Sequence, residues 1–319
     1  MTDSATGQIL QEVEGLWFPA DLVILQAGTR IFRVFTTILK EKSPIFADMF
    51  AIPQPSDSDV EKINGVPVVK MPDDPDELEF FLKAIFDSDY FMPPPAMSHI
   101  NIIIGVLRLA HKYDVSFLRR RALQHLCTVY CTRLEDYRDV GLSSSYAINS
   151  SIEAHLKTIQ ISVEVGALWM LPHAYYSVFH FGLQGVLAAN AWKCLGESER
   201  AMCLRLFSHK MQILPTAVII SLLSMGTDTP SFCTTRARCN QVRLSTIQDR
   251  SWDDDDNFLN IWDEDNWTEL KESGLCSTCL EEAKAAHEEK LRDFWNTLPT
   301  IFDLPDWATL EEMRSVALA

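Results

Sequence analysis

The sequence predicts an α+β fold at its N-terminal end, a small sheet flanked by helices, followed by an all-α region and an acidic, cysteine-containing tail. Three observations lead there. Phe18 to Phe50 reads as strand, tight turn, strand and two short helices. Residues 152–225 carry apolar side chains at helical spacing almost without a break. Asp249 to Ala319 holds 19 acidic residues against 6 basic ones, so most of the net charge of −16 lies in the last quarter of the chain.

Residues 1–15 form a polar lead-in, and Leu16-Trp17-Phe18 is an apolar patch before the first strand. Asp21 to Gln26 is a β-branched-rich run of strand length. Gly28 supplies the turn, because it tolerates positive φ. In the second strand Phe32 and Val34 share one face, and Ile31, Arg33 and Phe35 share the other. Thr36 to Lys42 is a short amphipathic helix, and Ser43-Pro44 starts the next, Ser as N-cap and Pro in the first turn. Ile52 to Gly65 reads as a polar loop. Val66 to Met71 is a strand whose Pro67 predicts an edge position. Asp76 to Asp87 is a helix with acids at its positive end, and Phe91 to Ala96, with three consecutive prolines, is a loop. Ile100 to Tyr113 is apolar nearly all round, which predicts a buried helix, and Val115 to Tyr130 continues the helical run.

The order Asp21, Phe32-Arg33-Val34, Ile38-Leu39, Ser43-Pro44-Ile45-Phe46 and Met49-Phe50 resembles the BTB/POZ domain. Leu109-Ala110-His111-Lys112-Tyr113-Asp114 is similar to that family's final helical pair. The Pro67-Val68-Val69 strand followed by Asp74-Pro75-Asp76 resembles its fungal, basidiomycete-like branch. The resemblance implies a protein-interaction and dimerisation module over residues 16–135. Its interface residues, carried over by position, are Trp17, Asp21, Ile38 and Leu39, with Phe81 and Phe86 on the helix that would hold a partner. Two positions depart from the pattern: Phe35 stands where the family has His, and Thr36 where it has a basic residue. Asp21 is therefore expected to lack its usual cationic partner.

Beyond the first domain, Gly141 to Ser151 is a Gly/Ser/Asn-rich stretch and the expected boundary. A helical domain over 150–225 and an acidic tail over 226–319 follow. The tail's Trp295, Leu298, Phe302, Leu304 and Trp307 are expected to dock back onto the helical domain, the alternative being an exposed partner motif.

Composition narrows the function. The acidic balance repels phosphate backbones, so no nucleic-acid partner is expected. No apolar run is long enough to span a membrane, and the N-terminus lacks a signal-peptide pattern. An intracellular protein, nuclear or cytoplasmic, is expected, with reduced cysteines. Two pairs, Cys233-x5-Cys239 and Cys276-x2-Cys279, fit a four-thiolate structural zinc site, although the first spacing is wide; ordinary reduced thiols are the alternative. Cys127, Cys131, Cys194 and Cys203 read as packed residues. Asp253, Asp255, Asn257 and Glu264 echo a calcium loop, but Phe258 stands where that loop needs Gly.

No glycine-rich phosphate loop, nucleophile elbow or His-Glu-x-x-His pattern occurs, so no catalytic residue is assigned. Three functions remain open, in this order: a substrate adaptor of a cullin-type ubiquitin ligase, a self-associating scaffold or transcriptional co-regulator without ligase contact, and a metal-dependent enzyme.

Overall fold

The computed structural model describes residues 21–52, 61–142, 151–208, 233–249, 259 and 264–319. Trp17, the polar lead-in and the calcium-like Asp253, Asp255, Asn257 and Phe258 lie outside the described residues. The fold is α+β, mostly helical with a four-stranded mixed sheet near the N-terminus. Two compact units divide the chain, Met1–Leu123 and Gln124–Ala319, so the division falls ahead of the expected boundary at 141–151.

In the first unit, β1 (Leu22–Ala27) and β2 (Arg30–Phe35) form an antiparallel hairpin with Ala27 opposite Arg30. Gly28 sits at the first central position of that two-residue turn with φ +54°, the conformation a II′-type hairpin demands there. Phe32 and Val34 are half-buried while Ile31, Arg33 and Phe35 face solvent, matching the alternation in sequence. The helices α1 (Thr36–Lys42) and α2 (Pro44–Ala51) follow. Ser43 caps α2 by accepting from the Phe46 N–H at 3.0 Å, and its hydroxyl also donates to the Tyr113 carbonyl. Phe46 stacks on Tyr113 at 4.5 Å, so one serine and one ring pair fasten α2 into the core.

The remaining strands are β3 (Lys62–Ile63) and β4 (Val66–Lys70), and the sheet order is β2-β1-β4-β3. β4 is therefore an internal strand, correcting the edge position expected from Pro67. The register explains how proline is tolerated. Val68 donates to Glu61 at 2.9 Å, which makes the neighbouring Pro67–Lys62 pair a non-hydrogen-bonded one. The parallel ladder to β1 begins one residue later, at Val68. No ladder bond needs the N–H that Pro67 lacks. The hairpin itself was hidden in a stretch that reads as a polar loop. Asn64 and Gly65 both take positive φ, 51° and 80°, as an I′-type turn requires.

Helix α3 (Pro75–Phe86) starts at Asp74, whose carboxylate accepts from the Asp76 and Glu77 N–H groups. It packs on α4 (Ile100–Lys112), which is buried along most of its length. The two approach closely at Gly105, where a Cβ would meet Glu77 and Phe80 atoms at 3.1–3.3 Å. Arg108 pairs with Glu77 beside this contact, and Lys112 and Tyr113 both reach Asp73. The next helix is α5 (Ser116–Cys127), where Arg121 donates to the Phe91 carbonyl and so serves the fold.

The second unit is helical: α6 (Leu134–Leu142), α7 (Ile152–Glu164), α8 (Leu171–Phe179), α9 (Gly182–Ala188), α10 (197–208), α11 (Arg236–Asp249), α12 (Glu264–Glu272), α13 (Ser277–Ile301) and α14 (Trp307–Leu318). α8 and α9 are separate helices, and α9 starts at Gly182, which adopts φ +66°. The aromatic tail is docked within this unit. Trp295, Leu298 and Phe302 are buried, and the Trp295 indole N–H donates to the Thr132 carbonyl at 3.2 Å. Trp307 stacks on Trp295 at 5.2 Å and donates to its carbonyl at 2.8 Å. Each indole thus buries an apolar body while its one polar atom is satisfied.

Candidate metal centre

Cys233, Cys239, Cys276 and Cys279 converge, with all four sulfur atoms within 4.8 Å of one another. Two local structures bring them there. Cys233 precedes α11 and Cys239 lies in its first turn, its N–H donating to the Thr235 carbonyl at 3.0 Å. Cys276 is the N-cap of α13 and Cys279 lies in that helix's first turn. Both helices therefore present their positive ends to the sulfur atoms, which favours thiolates.

The turn that delivers Cys276 depends on Gly274. α12 ends with Leu275 donating to the Leu270 carbonyl and Gly274 to the Lys271 carbonyl, both at 3.1 Å. This paired closure needs a left-handed residue between helix and exit, and Gly274 supplies it with φ +105°. Leu275 is buried beneath the turn.

Distances identify what the cluster fits. Cys233 and Cys239 sulfurs lie 3.8 Å apart, as do those of Cys233 and Cys276. A tetrahedron with Zn–S bonds near 2.3 Å has sulfur–sulfur edges of about 3.8 Å. A disulfide requires about 2.0 Å, and all of these cysteines are free thiols. Four cysteines close together could bind a metal, and their softness and geometry suit a closed tetrahedral ion.

The surroundings differentiate the thiols. Burial alone would raise Cys239, but the Thr235 hydroxyl at 3.3 Å and the Cys276 amide at 3.5 Å outweigh it, and its pKa falls to about 7. Cys279 is fully buried and is pushed up, first by burial and then by the Cys276, Cys233 and Cys239 thiols, while Arg243 pulls it down. Sequence spacing located the four sulfurs, whereas Thr235, Gly274 and Arg243 carried no signal of their own. The other cysteines play no part: Cys131 and Cys203 are buried, and Cys194, expected to be packed, is exposed.

The positions carried over from the family resemblance scatter across the first unit. Leu39 and Phe81 are fully enclosed in its core, where they pack the fold and present no surface to a partner. Ile38 is half-buried, and Phe86 is 37% exposed. Asp21 has partners after all: the Thr37 hydroxyl donates to it at 2.6 Å and Lys40 approaches to 3.6 Å. Burial tends to raise its carboxyl, but Thr37 and Lys40 prevail and hold it below the usual range. Lys40 lies one helical turn beyond Thr36 and brings a cation to Asp21.

Among the described residues no helix is long and apolar enough to cross a membrane. No family model, curated protein or solved structure matches the chain.

Proposed function

We propose that this chain is a non-catalytic protein-interaction protein. Its first unit is of BTB/POZ type and serves self-association and partner binding, and its second unit is held by a structural zinc ion on Cys233, Cys239, Cys276 and Cys279. The observation that carries the binding role is the element order of residues 21–51. A hairpin opened by Asp21 leads through α1 into a helix capped by Ser43-Pro44, with α3 and α4 packed behind. The apolar Ile31 and Phe35 lie exposed on the strand at the end of the sheet order, and Phe86 is exposed on α3.

The cysteine set supports the non-catalytic reading against a metal-dependent enzyme built on it. Four thiolates fill a tetrahedral ion's coordination and leave no position for a substrate or an activated water. Zinc there supplies folding energy in a polar, acidic segment.

A cullin-type ligase adaptor remains the leading role, with a self-associating scaffold or transcriptional co-regulator as the second. The burial of Phe81 favours the second reading to this extent, that of the two α3 positions carried over from the resemblance, Phe81 and Phe86, only Phe86 is exposed to meet a scaffold. Titration of the full chain with the amino-terminal region of the host's cullin discriminates the two. Micromolar or tighter binding, weakened at least about tenfold by Phe86→Glu, is expected of an adaptor. No binding by a folded sample that light scattering shows to be dimeric would remove the ligase role and leave the scaffold. A strictly monomeric, non-binding sample would remove both.

A further inference from the structure

We infer that the outer edge of β2 is a strand-addition site for an extended segment of another protein, one that carries an acidic residue between two apolar ones at alternate positions. This rests on the partner-binding reading of the first unit and names the partner's chemistry. β2 ends the sheet order, and among the described residues it pairs only with β1. An unpaired edge of this kind is a template for a further strand.

Backbone and side chains select the same three residues. Thr36 donates to the Asp21 carbonyl at 3.2 Å, so in the alternating antiparallel ladder the bonded pairs are Val34–Val23, Phe32–Leu25 and Arg30–Ala27. The N–H and C=O groups of Ile31, Arg33 and Phe35 therefore point away from β1. The side chains of these three share one face and are exposed, Ile31 at 54% and Phe35 at 47%. Proline and bulges, which blunt many natural edges, are absent from β2.

Charge decides the occupant. Arg30 is matched within the fold by Asp76 and Glu79. Arg33, exposed between Ile31 and Phe35, makes no ion pair among the described residues. A second copy of β2 is a poor match for this edge. The antiparallel register that sets Ile31 against a second copy's Phe35 sets Arg33 directly against its own counterpart, and like charges opposite each other destabilise a strand pair. A strand with Asp or Glu opposite Arg33, and apolar side chains opposite Ile31 and Phe35, satisfies all three positions while the edge's backbone groups supply the ladder bonds.

The test is selection from a phage-displayed library of random short peptides on the immobilised full chain, wild type and the variants Arg33→Glu and Arg33→Pro. Fluorescence anisotropy of the enriched peptides gives their affinities, and circular dichroism monitors folding. Wild type is expected to enrich peptides with an acid flanked at alternate positions by apolar side chains. Arg33→Glu should weaken these peptides at least about tenfold and, in its own selection, replace the acid by Lys or Arg. Arg33→Pro, which removes an outward N–H and no bond to β1, should abolish binding. Should the proline variant unfold the chain, the charge reversal still decides the matter. Enriched peptides that bind both folded variants within about twofold of wild type would overturn the β2 site and leave the partner-binding reading in place. No enriched peptide, from a chain that dimerises or binds the cullin, would do the same. Light scattering that finds wild type dimeric and folded Arg33→Pro monomeric would assign the edge to a second copy and overturn the acidic partner. A folded chain that enriches no peptide, stays monomeric and does not bind the cullin would overturn the partner-binding reading, and this inference with it.

Discussion

At position 105 the absence of a side chain sets how closely α3 and α4 approach. A Cβ there would meet the Glu77 Cγ at 3.1 Å and the Phe80 ring at 3.2 Å, with the Glu77 Cα behind them at 3.3 Å. Backbone cannot yield as a flexible side-chain tip can. Gly105→Val is therefore expected to cost about 2–3 kcal/mol through overpacking, read as a lowered urea midpoint with zinc content unchanged. The cysteines offer a sharper comparison at the same scale. Cys239→Ser and Cys279→Ser should each abolish four-sulfur cobalt absorption, whereas Cys194→Ser, which changes an exposed thiol, should leave it intact. A four-sulfur spectrum persisting in Cys279→Ser would show that another group completes the site.

At the scale of elements, α7 and α8 bury two histidines that must stay neutral. His173 Nδ1 accepts the Cys131 backbone N–H at 3.0 Å, so that nitrogen carries no proton. His155 Nδ1 lies 2.9 Å from the Tyr130 hydroxyl. Burial lowers both, with neighbouring histidines adding to the effect, to about 4 for His155 and about 3 for His173. The unfolded chain binds protons at these residues near pH 6.5 and the folded chain does not, so stability rises with pH across this window. Between pH 6.5 and pH 4 the unit should lose stability steadily, about 2 kcal/mol per histidine by pH 5. Denaturant titrations of metal-free protein at several pH values check this without interference from acid release of metal. A flat profile from pH 6.5 to pH 4.5 would contradict the burial of neutral imidazoles.

The same scale shows what sequence carries and what it omits. The first hairpin and the Ser43-Pro44 helix start were legible, because Gly28 and the cap residues act through local backbone chemistry. Asn64-Gly65 carries an equally local hairpin signal, but a two-residue β3 leaves too short a strand to stand out from a polar stretch. Pro67 misled for a different reason. Its tolerance depends on register, and register is set by strands far away in sequence. The cysteine spacing located the four thiols that converge, yet Arg243 looked like any helix-surface arginine, since its burial is a property of packing.

For the whole molecule, two units meet the same problem by different means. The first buries a conventional core of Phe46, Phe81, Leu39 and the α4 face. The second contains the acidic tail, in which α12 and α13 carry many charges and few large apolar groups near their starts. Docked tryptophans fasten one end of α13, and at the other end its Cys276 and Cys279 converge with Cys233 and Cys239 beside α11. The most direct test of this arrangement is the zinc content of the full chain, purified without added metal and measured by inductively coupled plasma mass spectrometry. One zinc per chain is expected in the wild type, falling to a small fraction in Cys239→Ser and Cys279→Ser. A folded wild-type chain that carries no zinc and takes none up when offered it would contradict the account.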